Sequence, residues 1–371
     1  MQIYSFQPTL TKSLSKVSHI VLNCQYGSAG IGISDAKRYI CGDMVDVSIV
    51  IVCMNRPDNL YPCLESIRRT TAKVSYEVLV VAYLYPPEEL AKAREDFPWV
   101  TFIVSDEIRG FSENNNLALR RAQGRYCFVL NDDTELPGPA VDSLFEDFGA
   151  LPEGTAIVSP TLLNADGSLQ LCGRPPYPAR HYVMQQWHLF KEPIDITAGR
   201  EPDAVIDGRK LFRSWNITGA AFLIPTDLFR DLGWFDERFF FTPEDIALGT
   251  LACSKGYSLY VDTSAQVVHK WRTTASRMMR ATRPAAVRGS LMHFSGFHWW
   301  KYLLLAVPVW LAESGKRVKA AVAQALRPSP ARRTELLTYR NITRSIFTSK
   351  TPKELFTKYF KELQKERGEN G

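Results

Sequence analysis

The sequence predicts an α/β fold in which a mostly parallel central sheet carries helices on both faces, followed by a helical, basic C-terminal extension. From Val47 onwards, short apolar runs rich in Val and Ile alternate with amphipathic segments. Such alternation is typical of parallel sheets with crossover helices. After residue 269 an excess of Lys and Arg sets the last part apart. The 371 residues, 45% hydrophobic and 23% charged, suit one large globular domain with an appendage, or two domains.

Each predicted element rests on a local pattern. The first strand, VSIVIVCM (47–54), is a continuous apolar run of the kind buried on both faces, and Asp58 or Asn59 can cap the amphipathic helix after it. Gly124 suits the C-terminal end of a helix at 115–123. The remaining strands are predicted at 76–84, 100–106, 125–132, 154–163, 214–225 and 257–271, and the remaining helices at 88–96, 226–233 and 241–256.

The cysteines and the apolar stretches indicate a compartment. The seven cysteines form no C-x-x-C pair, and several lie in apolar runs, which predicts reduced core thiols in a cytosolic protein. The N-terminus lacks the long apolar stretch of a secretory signal, and no run reaches 18 apolar residues. We therefore expect a cytoplasmic protein without a membrane-spanning helix. Residues 1–46 show weak periodicity and receive no role.

The strand in RYCFVLNDDTEL (125–136) ends on Asn131, Asp132 and Asp133. One explanation is an Asx turn, in which these side chains bond to their own backbone. Adjacent like charges are costly, however, unless water, a cation or hydrogen-bond donors surround them. Ligands of parallel sheets bind at the carboxyl ends of the strands, where this motif stands. Its position therefore favours a ligand or cation site beyond the turn.

Two further features carry residues able to do chemistry. Glu244 and Asp245 begin a predicted helix, and their simplest explanation is a capping box with Thr242 as N-cap, Pro243 at N1 and Asp245 at N3. A carboxylate held at a helix start can also act as a positioned base. His269 ends the last predicted strand and would be weak evidence alone. Beside an aspartate-containing turn and an acidic helix start, a metal-ligand role becomes reasonable for it.

Five segments of the chain carry a family resemblance through their order and spacing. They are VSIVIVCMNRPDNLYPCLESI, GFSENNNLALRRAQGRYCFVLNDDTEL, SPTLLNADGSLQLCGR, ITGAAFLIPTDLFRDLGWFDERFFFTPED and GYSLYVDTSAQVVHKW. The set resembles the family 2 inverting glycosyltransferases of GT-A fold, in particular their rhamnosyltransferase-like branch, from about Val47 to Trp271. The resemblance implies a GT-A catalytic domain at 47–275, between an N-terminal extension (1–46) and a basic helical region (276–371).

What the resemblance implies can be carried over position by position. Asp133 and His269 would bind Mn²⁺ or Mg²⁺, which neutralises the diphosphate of a nucleotide-sugar donor. Asp245 would be the base that deprotonates an acceptor hydroxyl, with inversion at the anomeric carbon, and Glu244 would position the acceptor or the helix. The donor-side positions are Cys53, Asn55, Arg56, Tyr83, Gly110, Asn116, Asn131 and Asp132. The acceptor-side positions are Gly219, Ala220 and Trp271. The implied acceptor is a glycan or lipid-linked saccharide of a cell-envelope polysaccharide or lipopolysaccharide.

Departures from the family pattern keep other functions open. Ala82 and Tyr83 stand where the family has a base-reading aspartate, which leaves stacking on Tyr83 or an unusual donor. Ala247 replaces the second aspartate of E-D-x-D, and Ala118 stands in place of a glycine. One alternative is therefore a non-catalytic GT-A-like binding or scaffold protein. Another is a nucleotidyltransferase, although CMNRPDN is a poor match to the Gly-rich basic loop that such an enzyme should show.

The C-terminal charge points to an anionic partner. Between His269 and Phe347 stand 15 Lys and Arg against two acids, 15 − 2 = +13, so the rest of the +6 chain carries 6 − 13 = −7. Nucleic acid, a membrane surface and a phosphorylated substrate all fit such a block. Nucleic acid ranks lowest, because no recognised binding motif accompanies the charge.

The apolar stretch Tyr302–Ala312 inside this block is too short to span a bilayer. Tryptophans and cations flank it: Trp299, Trp300, Trp310, Lys301, Lys316, Arg317 and Lys319. That composition is typical of an interfacial helix on an anionic leaflet, and predicts a peripheral association with the inner face of the cytoplasmic membrane. A helix buried against the GT-A domain is the alternative. Residues 350–371 are predicted to form a charged, amphipathic terminal helix.

Overall fold

The computed structural model describes residues 45–270 and 278–368. Its strands are β1 (Val47–Cys53), β2 (Tyr76–Tyr83), β3 (Val100–Ser105), β4 (Tyr126–Asn131), β5 (Thr134–Glu135), β6 (Thr155–Leu163), β7 (Gly173–Arg174), β8 (Ala204–Ile206), β9 (Arg209–Ser214), β10 (Asn216–Ile217), β11 (Ala221–Pro225) and β12 (Ser258–His269). Its helices are α1 (Pro57–Thr70), α2 (Pro87–Asp96), α3 (Phe111–Leu119), α4 (Ala140–Ala150), α5 (Ala179–Gln186), α6 (Thr226–Asp231), α7 (Glu244–Ser254), α8 (Met279–Phe294), α9 (Trp299–Leu326), α10 (Pro330–Ser345) and α11 (Pro352–Arg367).

The main sheet has the order β3-β2-β1-β4-β11-β6-β12-β9-β8, and the short β5 pairs with β12. The first four strands are parallel, and β11 is antiparallel to both of its neighbours. Beyond it, β6 and β12 are again parallel, and β9 and β8 form an antiparallel edge. The predicted α/β fold with a mostly parallel sheet is confirmed.

The sheet is buried on both faces, as the unbroken apolar run of β1 predicts. Ile49 and Ile51 point into one hydrophobic cluster and Val50 into another on the opposite face, and all three are fully buried. The first cluster includes side chains of α1, α2 and α4, and the second includes side chains of α3, α6 and α7. Helices therefore cover both faces and leave the carboxyl ends of the parallel strands to build a site.

The structure shifts one predicted helix and changes the predicted cap of another. The helix expected at 115–123 runs instead from Phe111 to Leu119, because the Glu113 carboxylate accepts a hydrogen bond from the Gly110 N–H and caps its start. Gly124 is not a helix end, since it packs on Ser48 so closely that a Cβ would meet the Ser48 nitrogen at 2.4 Å. Neither Asp58 nor Asn59 caps α1, whose N-cap residue is Arg56.

The predicted capping box at Thr242 is wrong. Helix α7 begins at Glu244 with Pro243 as its N-cap residue, and no side chain caps it. The backbone of Thr242 lies in the left-handed region, with φ of 53°, so this residue precedes the cap position and does not form it. The strand expected at 214–225 is also divided, into β10 and β11, with Gly219 and Ala220 between them.

The C-terminal helices form part of the same compact unit, Val45–Gly371. Helices α8 to α11 pack on one another, and α11 reaches the sheet domain, where the Phe356 and Phe240 rings lie 4.3 Å apart. Lys353 forms an ion pair of 2.6 Å with Glu113. The predicted domain boundary at 275/276 falls outside the described residues, as do residues 1–44 and Trp271. Within the described parts of the chain, no helix is long and apolar enough to cross a membrane.

Candidate functional site

The pairing of β5 with β12 brings two predicted metal ligands together. Strand β4 ends at Asn131, and after a short turn Thr134 of β5 pairs with His269, the last residue of β12. As a result His269 Nε2 lies 3.2 Å from Asp133 Oδ1. Both residues are buried, with exposed fractions of 5% and 7%. The Lys270 N–H also donates to the Asp133 carbonyl, at 2.9 Å, which holds the two chain segments in this register.

Gln170 fixes the orientation of the histidine ring. Its Nε2 donates to the His269 carbonyl at 2.5 Å and to Asn164 Oδ1 at 2.8 Å, so its Oε1 is left to accept from His269 Nδ1, at 2.9 Å. Because this oxygen can only accept, the Nδ1 atom carries a proton, and Nε2 is the ring nitrogen that faces Asp133. A second residue that holds a ligating histidine in one tautomer is typical of metal sites. Gln170 was not among the site residues predicted from the sequence.

The Asp133–His269 pair fits a divalent cation. An imidazole lone pair and a carboxylate oxygen 3.2 Å apart repel each other unless a proton or a cation lies between them. Nitrogen and carboxylate oxygen are both suitable ligands for Mn²⁺. Within residues 45–270 and 278–368, no group of three or more His, Cys, Asp or Glu is arranged to hold a metal. The cation would therefore take its other ligands from water and a bound phosphate, as Mg²⁺ commonly does.

Three buried polar atoms near this pair have no hydrogen-bond partner: Asn55 Oδ1, Arg56 Nη1 and Asp132 Oδ2. Arg56 otherwise pairs with Asp58 at 2.6 Å, and Asn55 has a left-handed φ of 45°. Burial, followed by the neighbouring Asp133, raises the pKa of Asp132 to about 7. These three are among 18 buried side-chain atoms without a partner in the described residues, and their position at the strand ends makes them available to a polar ligand or to water. The Asx turn of the sequence analysis does not satisfy Asp132.

Asp245 is held beside this edge through Gly219. Its Oδ2 accepts from the Gly219 N–H at 3.1 Å, and its Oδ1 accepts from the Ile246 N–H at 2.7 Å. A Cβ on Gly219 would lie 3.3 Å from the Asp245 Cβ, so glycine allows this close approach. The next residue, Ala220, accepts from the Asn131 N–H at 2.9 Å. Two consecutive residues thus connect Asp245 with the end of β4.

Glu244 differs from its neighbour in every contact. It is 7% exposed, and its Oε2 is buried without a hydrogen-bond partner. Burial, together with the Asp245 charge, raises the pKa of Glu244 to about 8. Burial therefore favours the protonated form of Glu244. His293 of α8 packs on Phe239 with 5.9 Å between ring centroids, and burial lowers its pKa, a shift that the nearby Asp245 partly offsets.

Other predicted donor-side residues are engaged within the protein. The Asn116 side chain bonds to Phe235 N and O and to Glu237 Oε1, and the residue is fully buried. Gly110 packs under Phe240, where a Cβ would meet the Phe240 oxygen at 2.3 Å. These contacts tie α3 to the 235–240 segment and give no support to donor binding. Cys53 is a core thiol, with Sγ 3.0 Å from the Tyr85 hydroxyl.

The place of the missing base-reading aspartate is closed. Ala82 is fully buried, and Tyr83 is 6% exposed. The Tyr83 hydroxyl accepts from the Arg109 N–H at 3.3 Å. Little of the Tyr83 ring is therefore available for a base to stack on.

Ala247, the other substituted position, lines a cavity of about 640 Å³ together with Trp234, Arg238 and Phe297.

Comparison with known proteins gives matches in sequence. Residues 48–192 match the model of glycosyl transferase family 2. Over 236 residues, 62% of the chain, it is 26% identical to the O-antigen biosynthesis protein RfbC of Myxococcus xanthus. The chain spans 18% of the length of that relative.

Solved structures give looser matches. A structure of GalNAc-T7 with UDP, GalNAc and Mn²⁺ is 16% identical over 88% of this chain and 58% of its own, with a TM-score of 0.49. The mannosyltransferase PcManGT from Pyrobaculum calidifontis, in complex with GDP-Man and Mn²⁺, is 14% identical over 85% of this chain and 94% of its own, with a TM-score of 0.46. At these TM-scores the likenesses assign no residue a role.

Proposed function

We propose, from the premise that this chain belongs to glycosyl transferase family 2 through residues 48–192, that it is a metal-dependent, inverting glycosyltransferase. It would move a hexosyl or deoxyhexosyl group from a nucleotide-sugar donor to a hydroxyl of a glycan or lipid-linked acceptor. The observation that carries the proposal is the 3.2 Å pair of Asp133 Oδ1 and His269 Nε2 at the carboxyl edge of the sheet. Asp245 stands one short connection away, through Gly219 and Ala220.

The donor side of the proposal rests on the unpartnered atoms of that edge. Asp133 and His269 would hold Mn²⁺ or Mg²⁺, which when bound neutralises the diphosphate leaving group. Asn55 Oδ1 and Arg56 Nη1 are buried and unpartnered beside them, and a nucleotide with its phosphates offers both a donor and an acceptor for such atoms. Asn131, whose amide nitrogen lies 3.4 Å from His269 Nε2, completes this side.

The acceptor side rests on Asp245. Its carboxylate accepts the proton of the acceptor hydroxyl while that oxygen forms a bond to the anomeric carbon. The bond from the same carbon to the diphosphate oxygen breaks on the opposite face, so the configuration inverts, and the nucleoside diphosphate leaves with the bonding electrons. Two backbone N–H groups, of Gly219 and Ile246, hold the carboxylate in place. Burial raises the pKa of the neighbouring Glu244, which disfavours a second negative charge there.

The glycan class is proposed from the relative. RfbC is named for O-antigen biosynthesis, which supports an acceptor in cell-envelope polysaccharide or lipopolysaccharide synthesis. The compartment proposed is the cytoplasm. The five cysteines in the described part of the chain are free, and four of them are buried, which supports a reduced environment.

The test is calorimetric titration of the whole chain with nucleoside diphosphates, with and without Mn²⁺. At least one nucleoside diphosphate should bind, and Mn²⁺ should tighten that binding. In Asp133→Asn the increase in nucleoside diphosphate affinity that Mn²⁺ causes should fall about 100-fold. The reason is that the cation would have two protein ligands, and this substitution removes the carboxylate among them. The matched control is Asp227→Asn, an exposed aspartate paired with Arg230 on α6.

Metal-dependent binding that survives unchanged in Asp133→Asn would show that the site is wrongly assigned. Turnover separates the enzyme from the scaffold alternative suggested by Ala82 and Ala247. Release of nucleoside diphosphate from a panel of nucleotide sugars, dependent on Asp245, supports the enzyme. Tight donor binding with no release in the presence of any acceptor, and no effect of Asp245→Asn, would favour the scaffold.

A further inference from the structure

Helix α9 exposes a continuous apolar face. In the described part of the chain, 22 large hydrophobic side chains are exposed, and ten of them lie on this one helix. They are Trp299, Trp300, Leu303, Leu304, Val307, Trp310, Leu311, Val318, Val322 and Leu326. Most recur at intervals of three, four or seven residues, so they share one side of the helix. We call this side the α9 face.

The opposite side of α9 is packed. Ala306 and Val309 are buried against α5, α8 and α10, and Glu313, fully buried, pairs with Lys316 at 2.6 Å. The predicted alternative, a helix buried against the GT-A domain, therefore describes this side of α9 at most, where Trp187 Nε1 also donates to the Pro308 carbonyl at 3.2 Å. A helix that is apolar on all sides is normally covered on all sides. An exposed apolar surface of this extent marks a binding surface, unlike isolated exposed side chains.

We propose that the α9 face docks the protein on an anionic membrane surface. The charge around the face selects this partner: residues 299–345 contain nine Lys and Arg against two acids, and one of those acids is the buried Glu313. Lys301 and Lys319, both exposed, lie five helical turns apart on the same edge of the face. Exposed tryptophans beside lysines suit the interface between lipid headgroups and acyl chains.

The start of α9 lies next to the segment that leads to Asp245, so docking at the α9 face would place that segment near the membrane. Phe297, just before α9, packs on Phe239, and the Arg238 guanidinium lies 3.7 Å from the centroid of the Phe297 ring. Gly289 of α8 approaches the Thr242 carbonyl so closely that a Cβ would lie 2.9 Å from it. The tryptophan-rich end of α9 is thereby coupled to the segment that leads to Asp245. A membrane at the α9 face would bring lipid-linked acceptors toward that side of the molecule, a consequence that rests on the proposed function.

A second copy of the chain is a worse partner. Two α9 faces in contact would bring the cations of both helices together without acids to pair them, and interface cores are depleted in lysine. An anionic leaflet, by contrast, attracts the same cations. Self-association is therefore an outcome that the experiment must detect.

The experiment is vesicle flotation of the whole chain, without substrate. We expect the protein to float with phosphatidylcholine–phosphatidylglycerol vesicles and at least about 10-fold less with phosphatidylcholine alone, since the charge attraction is lost. The double variant Leu304→Glu/Leu311→Glu should reduce binding to the anionic vesicles at least about 10-fold, because it removes apolar contact and adds negative charge.

The matched control is Val104→Glu/Val205→Glu, two exposed apolar residues on edge strands β3 and β8 of the sheet, which should bind as the unaltered chain does. Equal binding to both vesicle types, or unchanged binding of the α9 variant, would overturn the proposal. So would a dimer of the unaltered chain in light scattering that is lost in the α9 variant, if neither protein floats with vesicles. The variant should keep its nucleoside diphosphate affinity, so a failure of docking and a failure of the donor site are separate results.

Discussion

Two pairs of adjacent carboxylates, Asp132–Asp133 and Glu244–Asp245, flank the candidate site. The first residues of the two pairs, Asp132 and Glu244, resemble each other. Asp132 and Glu244 each have a buried oxygen without a hydrogen-bond partner, and burial raises the pKa of both. The second members differ. Asp133 faces a histidine nitrogen, whereas Asp245 is bonded to the backbone N–H groups of Gly219 and Ile246.

The difference indicates two kinds of chemistry from the same pair of residue types. A carboxylate that faces an imidazole nitrogen is suited to share a cation with it. A carboxylate fixed by neutral N–H donors keeps its charge and its orientation, which is what a proton acceptor needs. In both pairs burial raises the pKa of the first member, which favours its protonated form and limits like-charge repulsion.

The largest expected effect separates the two pairs by activity. Asp245→Asn should lower turnover about 10³-fold, because the acceptor hydroxyl loses its base while the amide keeps the shape of the side chain. Nucleoside diphosphate affinity and its Mn²⁺ dependence should stay as they are. Both are measured on the same preparation, by product release and by calorimetry, with Asp227→Asn as the matched control.

A loss of Mn²⁺-dependent binding in Asp245→Asn would contradict this division, since it would place Asp245 in the metal site. Turnover that persists within about threefold would remove the base assignment, because general base catalysis contributes at least about 100-fold.

The position of the first pair, Asp132–Asp133, could be predicted from the sequence, but the side chains around it could not. A buried strand that ends in polar residues predicts a site at the sheet edge, and the unbroken apolar run of β1 predicts the burial of both faces. Gln170 could not be found, because it contacts His269 across 99 residues of chain, and only the parallel pairing of β6 with β12 creates that contact. Long-range contacts of this kind leave no local pattern.

One prediction about the second pair, Glu244–Asp245, is wrong: the capping box at Thr242. Thr-Pro-Glu-Asp is a good capping-box pattern, but the left-handed backbone of Thr242 removes it from the cap. Asn116 shows the same limit: the family resemblance implied a donor contact, and tertiary structure gave it backbone partners at Phe235 instead. Only the fold showed what these side chains touch.

A smaller effect tests the histidine side of the comparison. Gln170→Leu leaves the metal ligands in place but frees the His269 ring, so the Mn²⁺ concentration for half-maximal nucleoside diphosphate binding should rise about 10- to 100-fold. Gln186→Leu, a glutamine on α5 whose amide bonds to the Tyr182 carbonyl, is the matched control. If Gln170→Leu shifts only the unfolding temperature, Gln170 supports the fold and does not position a ligand.

The smallest expected effect concerns stability and its pH dependence at Glu244. Its folded pKa is raised to about 8, above the ordinary value of 4.5, so between these two values the unfolded chain is ionised while the folded chain keeps the proton. The folded state then binds more protons, and the free energy of unfolding falls as the pH rises through this window. Glu244→Gln, which cannot ionise, should flatten this decline. Urea unfolding of the unaltered chain and of Glu244→Gln at pH 5 and pH 9 measures this decline. Equal declines in the two proteins would contradict the raised pKa of Glu244.

Because Asp245 contributes to the raised pKa of Glu244, Asp245→Asn should weaken the same decline without abolishing it. That result would show that the two carboxylates of the α7 pair interact.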